Sequence, residues 1–427
     1  MTGSGPDVRA AARRVRDRLP QIGVPDRGLL AEIGLTAGTL GSTAGQTVMV
    51  AVFPLLLAAY APSAFWVGLA ISGEGLLAIL VPYWVGALSD RLPVRLTRAV
   101  GRRMFFMLTS APLMAITLIA APYVRGYWPL VAIAAAFFAA FHIFLTPLWT
   151  LMVDAVPNER RGRVQGIRGV LHAIGLGYGL VAGGLLLSIW RPLPFVIAAL
   201  LILLATAATW IAAHSWGVDR QDRRLHGERP AQRAWDELKR KPSVRWFLLG
   251  NALWTGAVDG IRPYFFIFAT TVVGITIAHA SIMLSLLVVG FAVGSLVLGW
   301  ASDRMDRGRL LELGLWVTAA AMFAGTFARS LTAVIVLLLF AGIGAAALMA
   351  LPYPLFASLV EEGAMGQHTG FYVVSLGVGR MIAPILIGAV IDLGAAFMPA
   401  EQGYPLMWPV AGALMALSAF ALKKATE

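Results

Sequence analysis

A few ionisable side chains stand inside otherwise apolar runs, and these are the residues able to do chemistry. Glu74 lies in SGEGLLAIL, which offers it no cation. Asp259 and Arg262 are three residues apart, so a helix puts them on one face, with Pro263 directly after. Arg380 sits in the glycine-rich GVGRMIAP, and His142, Arg168 and His172 complete the set. An ionised side chain costs about 3 kcal/mol or more at the centre of a bilayer, so it faces a cavity or a partner. A carboxyl group in a low dielectric can exchange protons near neutrality. Glu74 is therefore the leading proton-coupling candidate, with Asp259 and His142 beside it. A structural hydrogen bond from a protonated Glu74, or a bond to substrate, are its other readings. Asp259 and Arg262 form either a permanent buried pair or one that opens when proton or substrate binds. Arg380 either lines the site or anchors an acidic partner such as Asp259. Arg168 reads as a member of a helix-end network ahead of a ligand group, and His172 as an interhelical hydrogen bond.

Neutral polar and aromatic residues extend the list. Gln46 is central in its run beside Thr43 and Thr47, and Asn251 and Trp254 share a run with Asp259. Amides bind hydroxyl groups, and aromatic faces stack on sugar rings. Trp149 and Tyr353 fall toward run ends, where aromatic belts sit, so Tyr353 is only a marginal contact. The expected substrate-binding set is Gln46, Glu74, Asn251, Trp254, Asp259, Arg262, Arg380 and Tyr353. Glu32 and Glu312 lie near helix ends and need no special role. The chain has no Cys, and its six His show no metal spacing. It has no HExxH and no Walker loop, so neither a metal site nor ATP hydrolysis is supported, and an enzyme is not expected. No cofactor is expected. The coupling ion would be a proton, with sodium possible through oxygen ligands.

Positioning such residues needs elements that cross a bilayer. Of 427 residues, 59% are hydrophobic and 13% charged, against about 25% charged in an ordinary soluble domain. A span needs about 20 mostly apolar residues, and twelve such runs occur: 32–58, 64–88, 103–122, 127–152, 163–187, 193–213, 246–271, 278–300, 310–328, 332–358, 368–391 and 406–423. Barrel strands are short and alternate in polarity, so a barrel is excluded. The net charge of +12 concentrates in alternate loops, which reads as topology rather than nucleic-acid binding. Arg125, Arg191 and Arg329 are the only basic residues left for the outer loops, so both termini are expected inside. Residues 1–30 form a basic arm without an apolar signal segment, and this arm could lie on lipid. Residues 31–213 and 246–427 are expected as two six-helix bundles of an all-α polytopic membrane protein, joined by a polar cytoplasmic loop at 214–245.

A repeat relates the two halves. Gly86-x3-Asp90-Arg91 closes the second run and Gly299-x3-Asp303-Arg304 the eighth, 213 residues later. Gly101-Arg102-Arg103 follows the first copy and Arg307-Gly308-Arg309 the second. Asp154-x2-Pro157-x-Glu159-Arg160-Arg161-Gly162 follows the fourth run, with a weaker echo after the tenth. Parallel repeats of this kind suit rocking transporters with a central site.

With these motifs the sequence resembles the major facilitator superfamily over about residues 30–423. The resemblance implies the major facilitator fold, with a charge network at helix ends that latches one state. Asp90, Arg91, Arg102, Arg103, Asp154, Asp303, Arg304 and Arg309 take that role, unless they only mark the inner surface. The insert in SDRLPVRLTRAVGRR, with LMVDAVPNERRGRVQG and LPYPLFASLVEEGAMGQHTGF, is similar to the sucrose transporters and the glycoside–pentoside–hexuronide cation symporters. That likeness implies proton-coupled symport of a small polar solute, a mono- or disaccharide or glycoside, by a monomer in the bacterial cytoplasmic (inner) membrane. Gly166-x8-Gly175-x3-Gly179-Leu180-x2-Gly183-Gly184 follows the antiporter signature of drug exporters, except that Leu180 stands where that signature has proline. Proton-coupled export of amphipathic compounds is therefore the alternative; an apolar, aromatic-lined cavity around Trp254, Tyr264 and Phe265 would favour it, and a cavity rich in paired polar groups would favour the sugar.

Overall fold

The computed structural model describes residues 28–91, 101–156, 160–215, 238–302, 304–360 and 365–427. The basic arm and residues 216–237 of the 214–245 loop lie outside them.

The long apolar runs leave the backbone no water to bond, so each closes its hydrogen bonds within a helix. The helical rods are α1 (Leu29–Ala58), α2 (Ala64–Arg91), α3 (Arg102–Ala120), α4 (Tyr127–Ala155), α5 (161–189) and α6 (Leu193–Ser215). They continue as α7 (Pro242–Thr271), α8 (Ile277–Ser302), α9 (Arg307–Gly325), α10 (Leu331–Leu359), α11 (Met365–Phe397) and α12 (Met407–Thr426). Among the described residues, ten helices are long and apolar enough to cross a membrane. The other two rods, α7 and α9, are of comparable length but more polar. Asp259 and Arg262 lie inside α7, and Arg307, Arg309 and Glu312 crowd the start of α9.

The expected runs and the rods agree to within a few residues at nearly every end. The largest departures are longer rods: α11 starts at Met365 and runs to Phe397, and α7 starts four residues early on Pro242, at a position where a missing N–H costs nothing. Three local features depart from uniform α-helix. α1 and α5 each contain one π-helical turn, at Val48–Val52 and Tyr178–Ala182, and α10 restarts at Pro352. Proline without an N–H accounts for the break in α10. The sharp entry to α4 depends on Gly126, whose φ of 98° few other residues adopt.

Packing sorts the rods into two groups. α1 packs on α5 and α6, α4 on α2 and α3, and α3 on α6. In the second group α7 packs on α11 and α12, α10 on α8 and α9, and α9 on α12. The groups meet along α2 with α11, α5 with α8, and α1 with α7. Under the sequence repeat α2 corresponds to α8 and α11 to α5, so the two lateral seams are equivalent.

Small residues allow that meeting. A side chain at Gly68 would strike the Pro384 backbone, one at Gly75 the backbones of Gly377 and Met381, and one at Gly184 the Ser281 side chain. Close backbone approach at such positions is how membrane helices gain van der Waals contact. One end of the bundle carries the α2–α3, α4–α5 and α8–α9 connections and is basic. The seams are tightest toward the other, far end. There Tyr264 of α7, fully buried, donates its hydroxyl to the carbonyls of Pro384 at 2.7 Å and Ala64 at 3.1 Å. Asp392 of α11 caps the start of α2, accepting from the Ala64 N–H at 2.9 Å, the Phe65 N–H at 2.8 Å and the Ser63 hydroxyl. Toward the basic end Trp149, Gln165, His172 and Tyr353 are exposed.

Candidate functional site

Midway along the bundle, residues from four rods converge. Arg380 of α11 lies between two carboxylates, with Nε 2.8 Å from Asp259 Oδ2 on α7 and Nη1 3.5 Å from Glu74 Oε1 on α2. Arg262 completes the pair within α7, its Nη1 2.9 Å from Asp259 Oδ1. Gln46 of α1 donates its amide to Glu74. The carboxylate side chains are 5% and 10% exposed, whereas Arg262 and Arg380 keep 22% and 27%. The two arginines are thus the more exposed side chains of the cluster.

Local sequence explains the approach. Gly379 lies against the Ala252 carbonyl of α7, and Gly377 against Ile79 of α2, so α11 fits between both rods. Arg380, next to Gly379, then reaches either side. Glu74 is flanked by Gly73 and Gly75 and meets α11 without an intervening side chain. A carboxylate beside a guanidinium is well satisfied where both are largely out of water, and removal of one partner strands the other.

Glu74, Asp259, Arg262, Arg380 and Gln46 are therefore brought together, and Arg380 meets the acidic partner expected for it. Sequence gives Glu74 no local cation; the structure supplies one from 306 positions away. His142 is 4% exposed and lies beside the Glu74 backbone, with its Nε2 lacking a hydrogen-bond partner among the described residues.

Other candidates lie elsewhere. Asn251 is fully buried and donates to Ser375 at 2.6 Å, tying α7 to α11. Trp254 is 4% exposed, packed edge-on against Phe247 with ring centroids 5.6 Å apart. Both were expected to contact substrate, and both are turned into helix packing. Depth along the sequence alone did not fix which way they face. Tyr353 is exposed near the basic end, 3.1 Å from the Thr369 hydroxyl and edge-on to Tyr372, and outside the cluster. Tyr264 and Phe265, offered as an aromatic lining, are buried among helices.

Of the expected latch, Asp90, Arg91, Arg102, Asp154 and Asp303 lie outside the described side chains. Arg304 stacks on Trp300 at 4.2 Å and donates to its carbonyl, Arg309 is exposed, and Arg103 is half-buried. Glu32, given no role from sequence, is buried and pairs with Arg163 at 3.0 Å, tying α1 to α5 at the basic end. Asp392 was missed altogether. It stands near the end of an apolar run, and nothing local announces that α2 begins beside it. Among the described residues no group of three His, Cys, Asp or Glu could hold a metal ion.

The family model for the Major Facilitator Superfamily matches residues 35–277 and 263–424. No curated protein matches the chain in sequence. Solved structures match in fold. A bacterial homologue of the human lysosomal transporter Spinster, inward-facing and unoccupied, is 16% identical, with a TM-score of 0.66 and 93% of each chain covered. The nucleoside transporter NupG is 14% identical with a TM-score of 0.71, covering 94% of this chain and 100% of its own. The fucose:proton symporter FucP of E. coli is 15% identical with a TM-score of 0.62, covering 93% of this chain and 98% of its own.

Proposed function

This chain belongs to the major facilitator superfamily as an integral membrane transporter rather than an enzyme, and on that premise we propose that it carries a small polar solute by proton-coupled symport. The observation that carries the reading is the Glu74–Arg380–Asp259–Arg262 cluster, which joins α2 to α7 and α11 at mid-depth. Twelve spans in two six-helix bundles, with both termini cytoplasmic, complete the architecture. The basic end then faces the cytoplasm. The tight far-end seams and the exposed residues near the basic end make the conformation inward-facing.

Glu74 is the proton site. Ionised, it holds Arg380 across the seam between the bundles. Protonated, it releases a share of that guanidinium, and the seam loses an ionic tie. Asp259 keeps Arg380 and Arg262 in place meanwhile. A hydroxylated solute such as a mono- or disaccharide or glycoside would bind to the exposed guanidinium edges and to Gln46. Likeness to the sucrose transporter and glycoside symporter loops supports sugar as the solute class, and the bacterial cytoplasmic membrane as the location. FucP, a fucose:proton symporter, shares the fold. The basic helix-end residues, including Arg103, Arg304 and Arg309, balance the two states, and the chain acts as a monomer.

The test is uptake of labelled sugars into proteoliposomes under an imposed pH gradient. Gradient-driven accumulation is expected. Proton movement only on addition of lipophilic cations would replace symport by export. Trp254, Tyr264 and Phe265, the aromatic residues that would favour export if they lined a cavity, are all buried.

A further inference from the structure

The bounds of the rods let the two halves be compared position by position. α1 and α7 begin 213 positions apart and end 213 positions apart, and α4 and α10 begin and end 204 apart. α5 and α11 also begin 204 apart, as Gly162 and Gly166 do from Gly366 and Gly370. With these offsets the π-helical turn of α5, Tyr178–Ala182, falls on 382–386 of α11, and its central residue Leu180 falls on Pro384. The π-helical turn of α1, Val48–Val52, falls on 261–265 of α7, and its central residue Val50 falls on Pro263. Each π-helical turn of the first half thus has a proline at its centre in the second.

Both features let a helix bend at one place. In α5 the Gly183 N–H reaches back five residues to the Tyr178 carbonyl, which widens the turn. In α11 Pro384 has no N–H to give the Arg380 carbonyl four residues earlier, and its ring crowds that oxygen. The weak turn of α11 therefore starts at the residue that Asp259 and Glu74 hold. Before its own weak turn α5 is seated in its own group, where a side chain at Gly175 would meet the Leu40 carbonyl and Thr43 of α1. Beyond the weak turns each tip reaches the opposite group. A side chain at Gly184 of α5 would strike Ser281 of α8, and one at Gly388 of α11 would strike the Ala64 carbonyl of α2. Asp392, one turn further along α11, accepts from the Ala64 and Phe65 N–H groups.

We propose that α5 and α11 are a matched pair of hinged rods, which bend around Leu180 and Pro384, and that the far end opens when their two tips swing away from α8 and α2. The π-helical turn supplies in α5 the bend that proline supplies in α11. Leu180, which stands where the exporter signature has proline, therefore marks a different route to the same bend. The parts of both rods toward the basic end do not swing with the tips. This rests on the inward-facing reading of the conformation and is independent of the solute and of the coupling ion. Rocking of two rigid bundles would need neither hinge.

The test uses the full chain in proteoliposomes and a membrane-impermeant maleimide. Since the chain has no Cys, Ala64→Cys reports on the α2–α11 seam and Ser281→Cys on the α5–α8 seam. Pro384→Ala restores an N–H whose bond must break for α11 to bend, so labelling of the Ala64→Cys thiol should fall about fivefold, as one hydrogen bond implies. A π-helical turn holds one residue more than an α-helical turn, so deletion of Leu180 leaves a continuous α-helix with the later side chains on their present faces. That deletion should lower labelling of the Ser281→Cys thiol by a similar factor. Leu180→Pro should keep both the labelling and the thermal unfolding of the parent, whereas Val170→Pro, in the regular part of the same rod, should fail to fold. Labelling unchanged by both Pro384→Ala and the deletion would overturn the hinges in favour of rigid rocking. Leu180→Pro that fails to fold as Val170→Pro does would overturn the equivalence of the two turns. Labelling needs no solute and no proton gradient, so either failure leaves the symport reading standing.

Discussion

Asp259 holds two guanidinium groups on one carboxylate, at 2.9 and 2.8 Å, while Glu74 shares one of them with its Gln46 bond. The two carboxylates should therefore respond differently to neutralisation. Asp259→Asn strands both Arg262 and Arg380 and should destabilise the fold by about 3–5 kcal/mol, as breaking a buried pair does. Glu74→Gln removes the longer contact, at 3.5 Å, and should cost clearly less. Thermal unfolding of the two purified variants in detergent checks the order, and equal losses would contradict it. Legibility in sequence followed distance along the chain. The Asp259–Arg262 pair was readable because i,i+3 geometry is local. The Glu74–Arg380 contact was not, because it depends on how α2 and α11 meet. Asn251 and Trp254 were expected at the substrate but are packed between helices, since position along a helix does not say which neighbour a side chain meets.

At the scale of elements, the rods themselves were plain in the sequence, because a run of about 20 apolar residues has few other outcomes in a membrane. The seams were not plain. Gly68, Gly75, Gly377 and Gly388 look like any helix glycines until α2 and α11 are laid together. Gly75→Leu would drive a branched side chain into the Gly377 and Met381 backbones and should block the closed far end, reducing transport at near-normal expression. The clasp of Asp392 on the first turn of α2 adds a carboxylate at a helix N-terminus, where the dipole favours it. Asp392→Ala should loosen that end. The chain has no Cys, so a single Ala64→Cys thiol reports on the far end directly. Its labelling by a membrane-impermeant maleimide should rise about tenfold in Asp392→Ala, in line with a lost charge-assisted bond. Unchanged labelling would show that the clasp is idle.

For the whole molecule, the repeat at Gly86–Arg91 and Gly299–Arg304 pairs α2 with α8, and the packing of α2 on α11 and of α5 on α8 is consistent with that pairing. The conformational state was not legible, because the same sequence must serve both states. The far end is closed here, and Glu74 ties its seam at mid-depth. Lower pH protonates Glu74 and removes that tie, so labelling of the Ala64→Cys thiol should increase as pH falls and should lose this dependence in Glu74→Gln. The central claim is that Glu74 couples proton to solute, and the most direct test compares two activities of one variant. Proteoliposomes with wild type or Glu74→Gln are assayed for solute accumulation driven by a pH gradient and for solute exchange without one. The account predicts that Glu74→Gln loses accumulation and keeps exchange. Accumulation in Glu74→Gln equal to that of the wild type would contradict it.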